Sequence, residues 1–185
     1  MRPTPHGAAR TKSWLQDGQR KIREDFLADG DAKRLLRNRC SLIDEILCAL
    51  WSELGLPDSL ALIAVGGYGR GELYPSSDVD LLILLPEQPG HALAAQLEGL
   101  VCAFWDIGLE TGHSVRTIEQ CLEEAAGDIT VQTAMIEARP TSHGRASPSS
   151  TMTWTARSTR RSSPSANATF LRCARLATLK MGFMV

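Results

Sequence analysis

The sequence predicts an α/β (α+β) domain: a small mixed sheet with helices packed on it. Three observations carry this. Two short apolar runs, Leu60 to Val65 and Val79 to Leu85, are too brief for ordinary helices and are punctuated by glycines and by Pro86. Longer stretches on either side repeat apolar residues at helical spacing. A third short stretch, GLETGHSVRT at 108–117, returns to the alternation of a strand.

Taken in order, residues 1–11 carry Pro3, Pro5 and Gly7 among small polar residues and are expected to be a flexible lead-in. Trp14, Leu15, Ile22, Phe26 and Leu27 then mark an amphipathic helix over 12–28 that ends near Gly30. Leu35, Leu36, Leu42, Ile43, Ile46, Leu47, Leu50, Trp51 and Leu54 follow the i, i+3, i+4, i+7 template over 32–54, and Gly55 with Pro57 stops it. Trp14 and Trp51 are read as core residues. After the two apolar runs, Leu93, Leu97, Leu100, Val101, Phe104 and Trp105 predict a helix over 91–106. In the third strand Gly112 marks a bulge or a close backbone approach. Thr117 with Gln120 suits a helix start, and Asp128 can cap a last helix reaching Arg139.

At 185 residues the chain has room for one domain with an appendage. Its charge is unevenly placed. Residues 1–139 hold 13 basic and all 21 acidic residues, whereas 140–185 hold seven basic residues, no acidic ones and 15 Ser or Thr. Residues 12–139 are therefore read as the domain, and 140–185 as a Ser/Thr/Arg-rich tail expected to be disordered. Loss of the reading frame near Arg139 would also explain that tail. A nucleic-acid partner is disfavoured, because the tail lacks interleaved aromatics or a repeat. Five scattered cysteines without CxxC spacing argue against a disulfide framework or zinc site. No apolar run approaches the roughly 20 residues of a membrane span. A cytoplasmic protein with no membrane partner is expected.

The stretch LALIAVGGYGRGELYPSSDVDLLILLP, residues 60–86, holds the chemistry. It reads strand, glycine loop, strand. Asp78 and Asp80, two apart at the start of the second strand, point to one face while Val79 points to the core. Two carboxylates so placed repel unless a cation or a shared proton relieves them, and a hard divalent ion such as Mg²⁺ suits oxygen ligands. Gly66 and Gly67 allow close backbone approach, so that N–H groups can meet phosphate oxygens. No lysine of the Walker type follows the glycines, and a strand rather than a long helix comes next, so the common mononucleotide and dinucleotide loops do not fit.

A Gly-Gly pair, about ten residues, then Asp-x-Asp in a strand resembles the nucleotidyltransferase superfamily of the polymerase-β type. With FWDIGLETGHSVRT and DITVQTAMIEAR downstream, residues 12–139 resemble the nucleotidyltransferase domain of the bacterial P-II uridylyltransferase/uridylyl-removing family. That resemblance implies UTP as donor, Mg²⁺ as cofactor and a tyrosine of the P-II signal protein as acceptor. The family's HD-type hydrolase and ACT regions have no counterpart in these 185 residues. No His-Asp doublet occurs, so uridylyl-removing activity is not expected of this chain. A catalytically inactive truncated product is the alternative reading.

The resemblance implies Asp78 and Asp80 as metal ligands and Gly66 and Gly67 as phosphate contacts. Arg70 is a candidate triphosphate clamp by charge and position, against a solvated loop arginine. Ser77, with Ser76, can bond phosphate or cap the turn before the strand. The superfamily's third carboxylate, on a later strand, is assigned first to Glu110, with Glu137 and Asp128 behind it.

Overall fold

The computed structural model describes residues 5–141; the Ser/Thr/Arg-rich tail beyond 141 lies outside the described residues. Helix α1 spans Pro5–Asp29 and α2 Ala32–Glu53. Residues 5–11, expected as a loose lead-in, are the first turns of α1. A proline is tolerated in a first helical turn, where its missing N–H has no partner to lose, and Thr11 Oγ1 closes a later turn by donating to Gly7 O. Leu15 and Ile22 form the buried seam of α1, whereas Trp14, read as a core residue, is 40% exposed. Gly18 lets the two helices approach: a Cβ there would lie 2.7 Å from the Leu42 methyls.

Helix α2 matches its predicted span to within a residue. Asp31 caps it by accepting from Arg34 N, and a buried face from Cys40 to Trp51 turns inward.

Four strands form one mixed sheet in the order β3-β2-β1-β4, with β1 at Ala61–Ala64, β2 at Val79–Leu85, β3 at Thr111–Thr117 and β4 at Arg139–Pro140. Strand β1 is antiparallel to both neighbours; β2 and β3 are parallel, joined through helix α4, His91–Asp106. Because side chains alternate, β2 feeds two cores. Val79, Leu81, Ile83 and Leu85 join Leu62 and Ala64 against α1, α2 and α4. Leu82 and Leu84 join Ala61 and Ile63 on the other face, where Cys121 and Met135 arrive from α5 (Ile118–Gly127) and α6 (Ile129–Ile136). Burial on both faces is why these strands read as unbroken apolar runs.

Two further features differ from expectation. The segment Gly66–Gly69, expected as an open glycine loop, folds as one helical turn, α3. The last helix stops at Ile136 instead of reaching Arg139, since a residue before proline is disfavoured in helical conformation. The chain then pairs with β1, and Thr141 donates to Leu62 O through both N and Oγ1, so ordered pairing passes the boundary expected at Arg139. Pro140 is accommodated because β4 is an edge strand.

Candidate functional site

The strand directions bring three chain segments to one end of the sheet. The end of β1 leads into α3, and the starts of β2 and β3 lie beside it. Val65 N donates to Asp80 O at 3.1 Å, and Val79 N donates to Glu110 O at 2.9 Å. The carboxylate of Asp80 sits between two glycines. A Cβ on Gly66 would lie 3.1 Å from Asp80 Oδ2, and one on Gly112 would lie 2.6 Å from Oδ1. Gly66 also has φ +57°, a backbone conformation that L side chains avoid. Gly112, expected at a bulge or a close approach, is the latter: the β2–β3 register runs through it unbroken, opposite Asp80.

Asp80 is half-buried while Asp78, one residue ahead of the strand, is exposed. Burial first, and then the charge of Asp78, push the Asp80 carboxyl above its ordinary value. Two carboxylates held near each other repel, and a cation would relieve them.

Gly67, the other predicted phosphate contact, accepts from Glu72 N through its carbonyl at 2.8 Å. Helix geometry leaves the N–H groups of Gly66, Gly67 and Tyr68 without intrahelical partners, and the N-cap residue Val65 provides no side-chain cap. Arg70 follows, but it is engaged: Nε lies 2.8 Å from Glu72 and Nη1 2.5 Å from Glu137. Ser77 is exposed and its N–H donates to Tyr74 O, while Ser76 holds the turn at φ +67°.

Glu110 does not join the two aspartates as a third ligand. Among the described residues no three His, Cys, Asp or Glu side chains gather into a metal-binding group. Instead Glu110 lines a groove of about 460 Å³ with Asp78, Trp105, Gly108, Leu109 and Thr111. Glu137 is bound to Arg70, and Asp128 caps α6 by accepting from Thr130 N, so neither stands in for it.

Sequence reasoning missed what holds α3 in place. The Tyr68 hydroxyl donates to Asp44 Oδ1 on α2. Arg139 of β4 donates to both oxygens of Asp44, at 2.8 and 3.1 Å, with its guanidinium 5.2 Å from the Tyr68 ring centroid. Burial, followed by the charge and hydrogen bond of Asp44, pushes the Tyr68 phenol well above its ordinary value. Burial pulls the Arg139 guanidinium down, and its bonds to Asp44 more than restore it. The signal available in the sequence was Asp44 with its neighbour Glu45, carboxylates set among the apolar residues Leu42, Ile43, Ile46 and Leu47. Arg39 adds a second tie, donating to Leu73 O and Tyr74 O in the loop leading to Asp78.

Strands β1 to β3 of this mixed sheet, with paired carboxylates at a strand start facing a glycine turn, lie within residues 40–126, which match the nucleotidyltransferase domain family. The chain carries such a domain, with the polymerase-β-type arrangement of helices on a small mixed sheet. More particularly, it is a homologue of bifunctional uridylyltransferase/uridylyl-removing enzymes. It is 47% identical to that of Chromobacterium violaceum over 135 residues, 71% of this chain and 16% of the relative. Identity is 46% to that of Nitrosospira multiformis over 144 residues, 75% of this chain and 16% of the relative. The corresponding enzyme of Burkholderia lata is 46% identical over 137 residues, again 16% of its length. The chain thus spans about a sixth of these relatives. No helix among the described residues is long and apolar enough to cross a membrane.

Proposed function

We propose that this chain carries the nucleotidyl-transfer site of a uridylyltransferase, moving UMP from UTP to a tyrosine of the P-II signal protein in the cytoplasm, with Mg²⁺ held by Asp78 and Asp80. The observation that carries it is the Asp80 carboxylate set between Gly66 and Gly112, in space that a Cβ on either would invade, beside a second carboxylate that raises its pKa. Two carboxylates plus substrate phosphates suit Mg²⁺, which is usually bound by one or two carboxylates and keeps several waters.

The chain's own residues divide the work. The N–H groups of Gly66 and Gly67 point to the β- and γ-phosphates, as open amides at the start of a helical turn do. Arg70 clamps the triphosphate by exchanging Glu72 and Glu137 for phosphate oxygens. Ser77 lies in the turn beside them as a further phosphate donor. Asp78 and Asp80 place the α-phosphorus. Bound Mg²⁺ supplies positive charge to the transferring phosphoryl group and the departing pyrophosphate. The tyrosine oxygen forms a bond to the α-phosphorus as the α–β bridging P–O bond breaks, and the phenolic proton passes to a carboxylate, for which Glu110 is the candidate. Most of the rate comes from positioning and electrostatics.

A second reading is favoured by one observation, that the chain spans only about a sixth of its relatives: a fragment without activity of its own. Incubating the chain with labelled UTP, Mg²⁺ and P-II protein, beside Asp78→Asn and Asp80→Asn, separates the two. Label on P-II that both substitutions abolish supports transfer; well-folded protein that transfers none leaves the inactive fragment.

A further inference from the structure

Trp105 was read from the sequence as part of the apolar face of α4, yet it stands 67% exposed. It forms a wall of the groove that Asp78 and Glu110 line. Gly108, at φ +77°, turns the chain there from α4 into β3, and Leu109 and Thr111 complete the lining. The Thr111 hydroxyl is the buried side-chain polar atom without a hydrogen-bond partner among the described residues. An exposed indole beside a carboxylate makes up a surface for a ring that carries a polar group.

The position of the groove says which ring. Strand β2, with the paired aspartates, lies between β1 and β3. The glycine turn continues from β1 on one flank of the aspartates, and the groove opens where β3 begins on the other. In an in-line displacement the attacking oxygen enters opposite the leaving group. With pyrophosphate on the glycine turn, the attacking hydroxyl must arrive from the β3 flank.

We propose that the groove beside Trp105 is the acceptor subsite, and that it seats the aromatic ring of a phenolic acceptor with its hydroxyl turned toward Asp78 and Glu110. This rests on the nucleotidyl-transfer reading for its direction and for its phenolic acceptor; what the groove adds is where that acceptor's ring sits and that Trp105 holds it. Trp105 packs against the ring, and Glu110 receives the hydroxyl's proton as the bond to phosphorus forms. The nucleobase binds elsewhere. Loss of the indole weakens acceptor binding by about 3–10-fold, the range of an aromatic pair, and leaves nucleotide binding unchanged.

The test uses the full chain labelled with 5-fluorotryptophan, its Trp105 fluorine signal assigned by loss in Trp105→Phe. N-acetyl-tyrosinamide, N-acetyl-leucinamide and UTP with Mg²⁺ are titrated separately. N-acetyl-tyrosinamide is expected to shift the Trp105 signal, with an apparent Kd raised about 3–10-fold in Trp105→Leu by a second, protein-wide readout such as ligand-observed saturation transfer. Trp105→Phe should restore most of the affinity, which a merely structural role would not predict. The leucine amide should leave the signal still. A Trp105 signal that follows UTP, or ignores N-acetyl-tyrosinamide, overturns the proposal. The two readings fail separately: absence of UTP binding, or UTP binding indifferent to Asp80→Asn, removes the nucleotidyl-transfer site while the tyrosinamide arm still reports on the groove.

Discussion

Asp80 pits its own electrostatics against the fold. Its carboxyl is held above the ordinary value by burial and by Asp78, so the folded chain binds its proton more tightly than the unfolded chain does. Ionising it therefore costs stability, and that cost grows as pH rises from the unfolded value, about 3.9, through the raised folded value. Asp80→Asn should lower UMP transfer by at least about 10²-fold and yet unfold at higher urea than the parent near neutral pH. The two midpoints should converge at and below about pH 4, and urea titrations across pH read this directly. The flanking glycines separate by cause. Gly66→Ala should cost about 1–2 kcal/mol through its positive φ. Gly112→Ala has no such strain and should instead displace the Asp80 carboxylate, reducing transfer about 10²-fold with little change in the urea midpoint. That the glycine pair and the aspartates would meet was legible because it is written in residue type and spacing. Gly112 was legible only as a close approach, because what it approaches lies 32 positions away in the chain.

Elements were legible where local rules decide them. The reciprocal capping box of Thr117 and Gln120 is present, with Thr117 Oγ1 accepting from Gln120 N and Gln120 Oε1 accepting from Thr117 N. Thr117→Ala should cost about 1 kcal/mol in thermal or urea unfolding without altering KM for UTP. The glycine turn is the opposite case. Its residues disfavour helix, and α3 exists because Tyr68 reaches Asp44 and because Gly69 packs where a Cβ would fall 2.8 Å from Ala64 O. No local pattern announces such a contact. Arg139→Met leaves Asp44 with Tyr68 alone at a half-buried position and should destabilise by about 2 kcal/mol. The same change should raise KM for UTP more than it lowers kcat, since it loosens the turn proposed to hold phosphates; initial-rate kinetics at varied UTP separate this from a uniform loss.

At the scale of the molecule, the sequence yields the alternation of helices and strands but not the strand order, because pairing depends on which edges meet after collapse. Strand β4 escaped notice for that reason. Two residues ahead of a serine-rich stretch carry no periodicity, and only β1 gives them a partner. The domain accordingly reaches Thr141, whose N–H and hydroxyl both serve Leu62 O. A chain ended after Thr141 should keep the parent's cooperative unfolding midpoint. One ended after Ala138 loses β4 and the Arg139 contacts and should unfold at least about 2 kcal/mol earlier, as calorimetry or urea titration would register.

The ion pair between Asp44 and Arg139 joins residues 95 positions apart. During translation at about 5–20 residues per second, the aspartate is made about 5–20 seconds before the arginine. The nascent chain thus holds the glycine turn and the paired aspartates well before the residue that fastens the turn exists. The fastening of the turn arrives last, with the final described strand.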